Sequence, residues 1–362
     1  MASLIPEELL TARLPSNEGE WEASTAEDWV LEHRSSGTSM EQVSGKAQQT
    51  SPMTTASSIC HSMTLLEAVA YSRKTRQIPS NLGGFSSLLL MMALVKESLK
   101  TYHMIRNLAT SGHTSGLAHL ADLPTSSIHT ETLELLAQIC EHIRSDPLLD
   151  SGTPFSALRQ VILEHYHAMH VLLRVPIADL FSFIGWQDAP SDNNGGCSRL
   201  RLWINTNSCD ARQAAVHAGK VFGYFRSSTT NAWYEYLSFV PAYIFLWAFA
   251  ESGPIRHADS GPFPMTVLQP LALVGKQDVL PVLRLDRFGS QKDETVWLDT
   301  GQGFEVHLCG IGSIYGNPGV EKILGEGIRL LLRLDSWPVT KILGFILRMS
   351  QIVQKQRARY QE

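Results

Sequence analysis

The run His165-Tyr166-His167-Ala168-Met169-His170 is the most chemically suggestive stretch of the 362-residue chain. Imidazoles ligate zinc and carry protons near neutral pH, so three of them in six residues raise both ideas. The spacing argues against a metal. On a helix His167 and His170 share a face at i,i+3, while His165 points elsewhere and the neighbouring Glu164 faces differently again. No cysteine stands at ligand spacing beside them. His165 falls on an apolar stripe with Leu158, Ile162, Met169 and Leu172, which predicts a core histidine holding a hydrogen bond.

Other chemistry-bearing patterns are weaker. Gly310-Ile311-Gly312-Ser313-Ile314-Tyr315-Gly316 has the flavour of a dinucleotide loop, but Tyr315 occupies the position where that loop needs its third glycine. No clean strand-helix-strand context is legible around it, so a turn entering the C-terminal helices is expected. The sequence holds no G-x-x-x-x-G-K-[ST] and no G-x-S-x-G. The five cysteines, Cys60, Cys140, Cys197, Cys209 and Cys309, form no C-x-x-C pair, which predicts neither a disulfide framework nor a zinc site within the chain. Two basic knots, Arg73-Lys74-Arg76 and Lys355-Arg357-Arg359, read as solvated helix ends. No catalytic, cofactor-binding or metal-ligating residue is therefore assigned.

The totals fit that reading. The chain is 44% hydrophobic and 18% charged, enough apolar matter for a sizeable core. A formal net charge of -5 offers phosphate backbones no general attraction. The opening MASLIPEELL is not a signal peptide, and the longest apolar run, Phe239 to Ala250, is too short to span a bilayer. A soluble protein without membrane contact is expected.

The elements read as helices. Residues 1–34 form an amphipathic N-terminal segment, residues 35–60 a flexible Ser/Thr/Gln-rich linker, and residues 61–362 a helical domain. Within it, Leu65, Val69 and Ala70 begin one helix. A second is carried by Leu88, Met91, Met92, Leu94, Val95 and Leu99 after the Gly83-Gly84 break, and a third by Leu133, Leu136, Ile139 and Cys140. Asp210 and Gln213 propose a capping box for a helix with Ala211, Ala214, Ala215, Ala218, Phe222 and Phe225 on one face. Trp233, Tyr236, Leu237, Val240, Ile244, Trp247 and Ala248 stripe the next, which Pro241 should kink. This pair is expected at the centre of the core. Leu280 to Asp286 reads as a short strand or extended piece. A hairpin closes the chain, its first helix on Val320, Ile323, Leu324, Leu331 and Leu334, its second on Ile342, Phe345, Ile346, Met349 and Ile352. The fold class predicted is all-α, a large irregular array of antiparallel helices behind a flexible N-terminal segment.

Several ordered motifs carry a resemblance. They are Leu14-Pro15, Trp21-Glu22-Ala23 and Trp29; the His-containing helix followed by Val175-Pro176, Asp179-Leu180 and Gly185-Trp186; Trp203, Asp210-Ala211-Arg212-Gln213-Ala214 and His217-Ala218-Gly219; Leu246-Trp247-Ala248; and Trp297-Leu298-Asp299 through Gly312. Together the chain resembles the fungal-specific transcription factor regulatory domain, the middle homology region, and most of all members linked to paired two-Cys, two-His fingers. The resemblance implies a nuclear transcription regulator and not an enzyme, in which Asp210, Arg212 and His217 support the scaffold. Its partners would be the transcription machinery, other regulators, a second copy of the chain, or a small-molecule effector. Control of a metabolic or secondary-metabolite gene cluster would suit it. No C-x2-4-C…H-x3-5-H finger and no six-cysteine cluster precedes the array. DNA contact is thus expected only through a missing module or a partner, and zinc only with an upstream finger module. The rival readings are a helical-bundle enzyme or ligand-binding protein acting on a small apolar molecule, and a pure interaction scaffold.

Overall fold

The computed structural model describes residue 14, residues 63–80, 82–110, 125–146, 149, 156–184, 195–227, 235–253, 280–287 and 290–333. Among them run ten helices and three short strands, so the fold is all-α as expected. The paired tryptophans near the N-terminus, the Ser/Thr/Gln linker, the last helix and the Lys355-Arg357-Arg359 end lie outside the described residues. The chain divides into two compact units between Tyr166 and His167.

The first unit holds α1 (Leu65–Thr75), α2 (Gly84–Thr110) and α3 (Thr125–Ser145), with the start of α4 (Ser156–Arg174). A capping box opens α1: Thr64 Oγ1 accepts from the Glu67 N–H (3.2 Å) and Glu67 Oε2 accepts from the Thr64 N–H (2.8 Å), satisfying donors the helix start leaves free. Leu65, Ala68 and Val69 are buried, whereas the expected Ala70 is exposed. Met91, Leu94, Val95 and Leu99 of α2 and Leu136, Ile139 and Cys140 of α3 fill this core. Arg73 corrects the reading of a merely solvated basic knot. Its guanidinium donates to Glu97 (3.1 Å), Thr132 Oγ1 (2.9 Å) and the Leu94 carbonyl (3.3 Å), clamping α1 to α2 and α3.

The second unit continues α4 and adds α5 (Ile177–Phe183), α6 (Gly195–Thr206), α7 (Ser208–Ser227), α8 (Glu235–Ser252), β1 (Val282–Arg284), α9 (Gln291–Thr300), β2 (Glu305–Leu308), β3 (Gly312–Ser313) and α10 (Gly316–Arg333). The expected central pair is central: α7 packs along α8, and α8 also meets α5, α6 and α10. One expectation needs correction. Every residue from Ser238 to Ala250 is buried, so over this span α8 has no solvent face and no single apolar stripe. A helix apolar on all sides must be enclosed on all sides. It runs unbroken through Pro241. The helix of α7 begins at Ser208, which places Asp210 inside the first turn and not at the cap.

The expected extended piece is β1. It pairs in parallel with β2 (Leu283 opposite Val306), and β2 pairs antiparallel with β3 (Leu308 opposite Gly312). Helix α9, invisible as a pattern because only Trp297 of it is buried, bridges the parallel strands. A small strand-helix-strand unit therefore does stand just before Gly310, contrary to the sequence reading. The glycines nonetheless make turns, with positive φ at Gly310 (72°), Gly312 (83°) and Gly316 (79°), and the chain folds back as β3 before α10 starts.

Glycine sets the closest approach in this core. A Cβ on Gly327 of α10 would run into the Tyr243 ring of α8, whose hydroxyl donates to the Leu324 carbonyl (3.1 Å). Gly325, two residues earlier, has open space around it. Gly327→Ala should cost about 1–3 kcal/mol through overpacking, while Gly325→Ala should be neutral or gain up to about 1 kcal/mol of helix propensity. Urea midpoints of the two variants check this, and equal effects would contradict the packing.

Candidate functional site

The histidines of the sequence motif separate as the helix turns. His165 is buried and donates from Nδ1 to the Val161 carbonyl (2.9 Å), the core role expected of it. His167 and His170 turn toward α7 and meet His217, a residue fifty positions away in sequence. The His167 and His217 Nδ1 atoms lie 2.9 Å apart, so one ring donates and the other accepts. The His170 and His217 rings stack with centroids 4.0 Å apart and planes 6° from parallel. Arg174, one turn below His170, donates from Nη1 to His170 Nδ1 (2.7 Å) and from Nε to Gln213 Oε1 (2.9 Å).

The chemistry of this cluster follows from its donors. Arginine can only donate, so His170 Nδ1 must be an unprotonated acceptor and the ring must be neutral. Burial holds His170 well below the ordinary imidazole pKa, helped by the charge of Arg174 and by His167 and Lys220. His217 is half-buried, packed against the His167 and His170 rings. Burial holds it well below the ordinary value too, followed by His170, His167, Arg174 and Lys220. Neutral imidazoles could in principle act as bases, but the Nδ1 atoms of all three rings are engaged with each other or with Arg174. No three His, Cys, Asp or Glu side chains among the described residues are arranged to hold a metal. The rival enzyme reading asks for acids and imidazoles converging in one cavity; here imidazoles converge on an arginine, ring packed on ring.

The remaining motif residues of α7 build the scaffold. Arg212 is buried and donates from Nε to the Leu298 carbonyl (2.8 Å) and from Nη2 to the Asp299 carbonyl (3.2 Å), at the C-terminal end of α9. That end carries orphan carbonyls and partial negative charge, which a guanidinium satisfies together. Gly301 caps α9 at φ 68°, and a Cβ there would meet Arg212 Nη1. Gly219 lets α7 touch the backbone of Leu285, where a Cβ would collide. Ala211, Ala214, Ala215 and Ala218 are buried in the common core. In the first unit, Ser98 Oγ lies 2.6 Å from His129 Nδ1, but both are buried, and burial with the nearby Arg73 and His103 pushes His129 down to about 4. This pair is a buried hydrogen bond that ties α2 to α3.

Sequence reasoning missed two groupings. The partnership of His217 with His167 and His170 depends on helix packing, and no local spacing signals it. The same holds for a groove of about 370 Å³ beside α7, lined by Lys220, Tyr224, Arg226, Asp286, Arg287 and Cys309.

Against known proteins, the chain is similar to a protein of Gibberella fujikuroi named "Transcription factor", 25% identical over 349 residues. The alignment takes in 96% of this chain and 37% of that relative, so the chain spans little more than a third of the relative's length. No family model and no solved structure matches it. No helix among the described residues is long and apolar enough to cross a membrane.

Two measurements follow from the buried polar groups. His170 and His217 are held neutral when folded but protonate near pH 6.5 when unfolded. Their contribution is complete above pH 6.5 and is lost as pH falls below it, because the unfolded state then binds more protons. Each adds up to about 1.4 kcal/mol per pH unit. Unfolding stability should therefore drop steeply between pH 6.5 and 5.5, before carboxylates titrate; a flat profile there would mean these rings are solvated. Arg212→Lys should destabilise by about 1–3 kcal/mol, since one ammonium cannot bridge two carbonyls in the fork geometry, and thermal or urea unfolding reads the loss.

Proposed function

We propose that this chain is the helical regulatory and interaction domain of a fungal transcription regulator working in the nucleus. The observation that carries the reading is the match to a protein named as a transcription factor along nearly the whole of this chain. The ordered motifs support it, and the structure gives those it describes physical work: Arg212 caps α9, His217 closes a polar cluster, Gly219 permits close packing, and Trp247 sits in the core. A catalytic role for the histidine cluster is disfavoured, because its Nδ1 atoms are engaged with one another and with Arg174.

In this reading DNA is reached through a finger module or a partner, and zinc belongs to that module. The net charge of -5 supports such a division of labour. The partners are the transcription machinery, other regulators or a second copy of the chain, with a small-molecule effector as a further ligand. Its targets belong to a metabolic or secondary-metabolite gene cluster.

Fusing the chain to an unrelated DNA-binding domain tests the reading. Reporter output in a fungal host should change severalfold against the binding domain alone, and an unchanged output would leave only a scaffold. Fluorescence anisotropy of the unfused chain with duplex DNA should show weak, sequence-indifferent binding. Tight, sequence-selective, zinc-dependent binding would overturn the assignment of DNA recognition to another module.

A further inference from the structure

The imidazole cluster of the second unit is a set of titratable groups for which the proposed function has no use. It sits where α4, from His167 onward, meets α7. His167 and His170 of α4 and His217 of α7 bring three rings together, and Arg174 closes the group one turn below His170. Among the described residues, α7 adds Gln213, which accepts from Arg174 (2.9 Å), Tyr224, whose ring lies 6.1 Å from that of His167, and Lys220. Lys220 in turn pairs with Glu294 of α9 (3.5 Å). On α4 itself Glu164 is buried one turn before His167, and His165 is bonded to the Val161 carbonyl.

Counting protons shows what acid does to this arrangement. Arg174 fills the His170 Nδ1 lone pair with an N–H at 2.7 Å, so a second proton on that ring would set donor against donor. The His167 and His217 Nδ1 atoms share one proton across 2.9 Å, so the accepting ring has no lone pair left for another. The His170 and His217 rings stack at 4.0 Å, where two imidazolium charges would repel. His170 and the accepting ring of the pair are therefore neutral as packed. Burial, and then the neighbouring rings and cations, hold both His170 and His217 well below the ordinary imidazole value. The same rings turned to water take up protons near pH 6.5.

We propose that this cluster is an acid-operated latch: proton uptake by His170 and by the accepting ring of the His167–His217 pair opens the contact between the end of α4 and α7 before the second unit unfolds. Each ring that gains a proton only in the open form raises the open population by up to about tenfold per pH unit below 6.5. Ala168, Val171 and Val175 lie beside the histidines on α4 and belong to the common apolar core, so they resist release and keep the open form a minor one at neutral pH. Helix α8, enclosed by apolar side chains from Ser238 to Ala250, has no titratable flank of this kind and opens later. Carboxylates titrate near pH 4, so between pH 6.5 and 5.5 the imidazoles are the groups that act. The latch does not rest on the transcription reading, because its test reads the fold alone.

Amide hydrogen exchange of the full 362-residue chain, read by mass spectrometry and corrected for the intrinsic pH dependence of exchange, tests the latch. Residues 167–174 of α4 and 213–224 of α7 should be at least about tenfold less protected than residues 243–250 of α8, as a local opening requires. Their protection should fall by a further factor of about ten or more from pH 6.5 to 5.5. His170→Gln should weaken that pH response, since a glutamine amide accepts from Arg174 and does not titrate. With His217→Gln added, little of the response should remain, and circular dichroism checks that the helices persist. Equal protection of the latch and of α8 at both pH values would mean that only global unfolding is read, and the native chain alone decides this even where a variant misfolds. That result, or a pH response undiminished in the folded histidine variants, would overturn the proposal.

Discussion

Enclosing α8 is the constraint on which the second unit depends. From Ser238 to Ala250 no residue of this helix reaches solvent, and seven of them are aromatic or large aliphatic side chains at or near zero exposure. Each such side chain contributes about 1.5–3 kcal/mol when removed from water, so the helix is stable only where other elements cover every side. Helices α5, α6, α7 and α10 supply that cover. The cover has to come close, and small residues let it: the alanines of α7 on one flank and Gly327 of α10 under the Tyr243 ring on another. Aromatic contacts fill the wider gaps, with Phe239 stacked on Tyr243 (5.6 Å) and Phe183 edge-on to Trp247 (4.8 Å).

A core assembled this way traps polar groups, and their fates differ. The Tyr243 hydroxyl finds the Leu324 carbonyl, which turns a buried-hydroxyl penalty of about 1–3 kcal/mol into a modest net gain. Arg212 cannot shed its charge, so it is placed where the end of α9 offers two carbonyls. The histidines take the other route and give up their protons. Trp247 Nε1 is buried without an acceptor, a cost set against the area its ring buries.

How far the sequence reveals this depends on the kind of pattern involved. Ala211, Ala214, Ala215 and Ala218 repeat at helical spacing, and packing follows directly from periodicity. The helix carrying Val320, Ile323, Leu324 and Leu331 is legible for the same reason. Periodicity fails for α8, because a residue buried on every side generates no contrast between faces; the stripe read there was one sector of a fully covered surface. It fails for α9 in the opposite sense, since Trp297 alone is buried and the rest faces out. The strands β2 and β3 are four and two residues long, too short for alternation to register. The candidate groups share one difficulty. His217 lies fifty residues from His167, and Arg226 lies 83 residues before Cys309, so only tertiary packing puts them together.

Helix α7 joins these two worlds because its faces are chemically different. One face is alanine and phenylalanine and is spent on α8. The other carries Arg212, Gly219, Gly223 and Arg226, and it meets the β1–α9–β2 segment through backbone contacts and guanidinium bonds instead of apolar bulk. A Cβ on Gly219 would strike Leu285, and one on Gly223 would press on the Asp286 carbonyl. Large side chains cannot mediate such an approach, so directional polar contacts hold the segment in register. Polar seams of this kind respond to charge more sharply than an apolar interface does, because removing one partner leaves the other desolvated and unpaired. The seam, not the tryptophan-rich core, is therefore where a change in charge would alter the packing of the second unit.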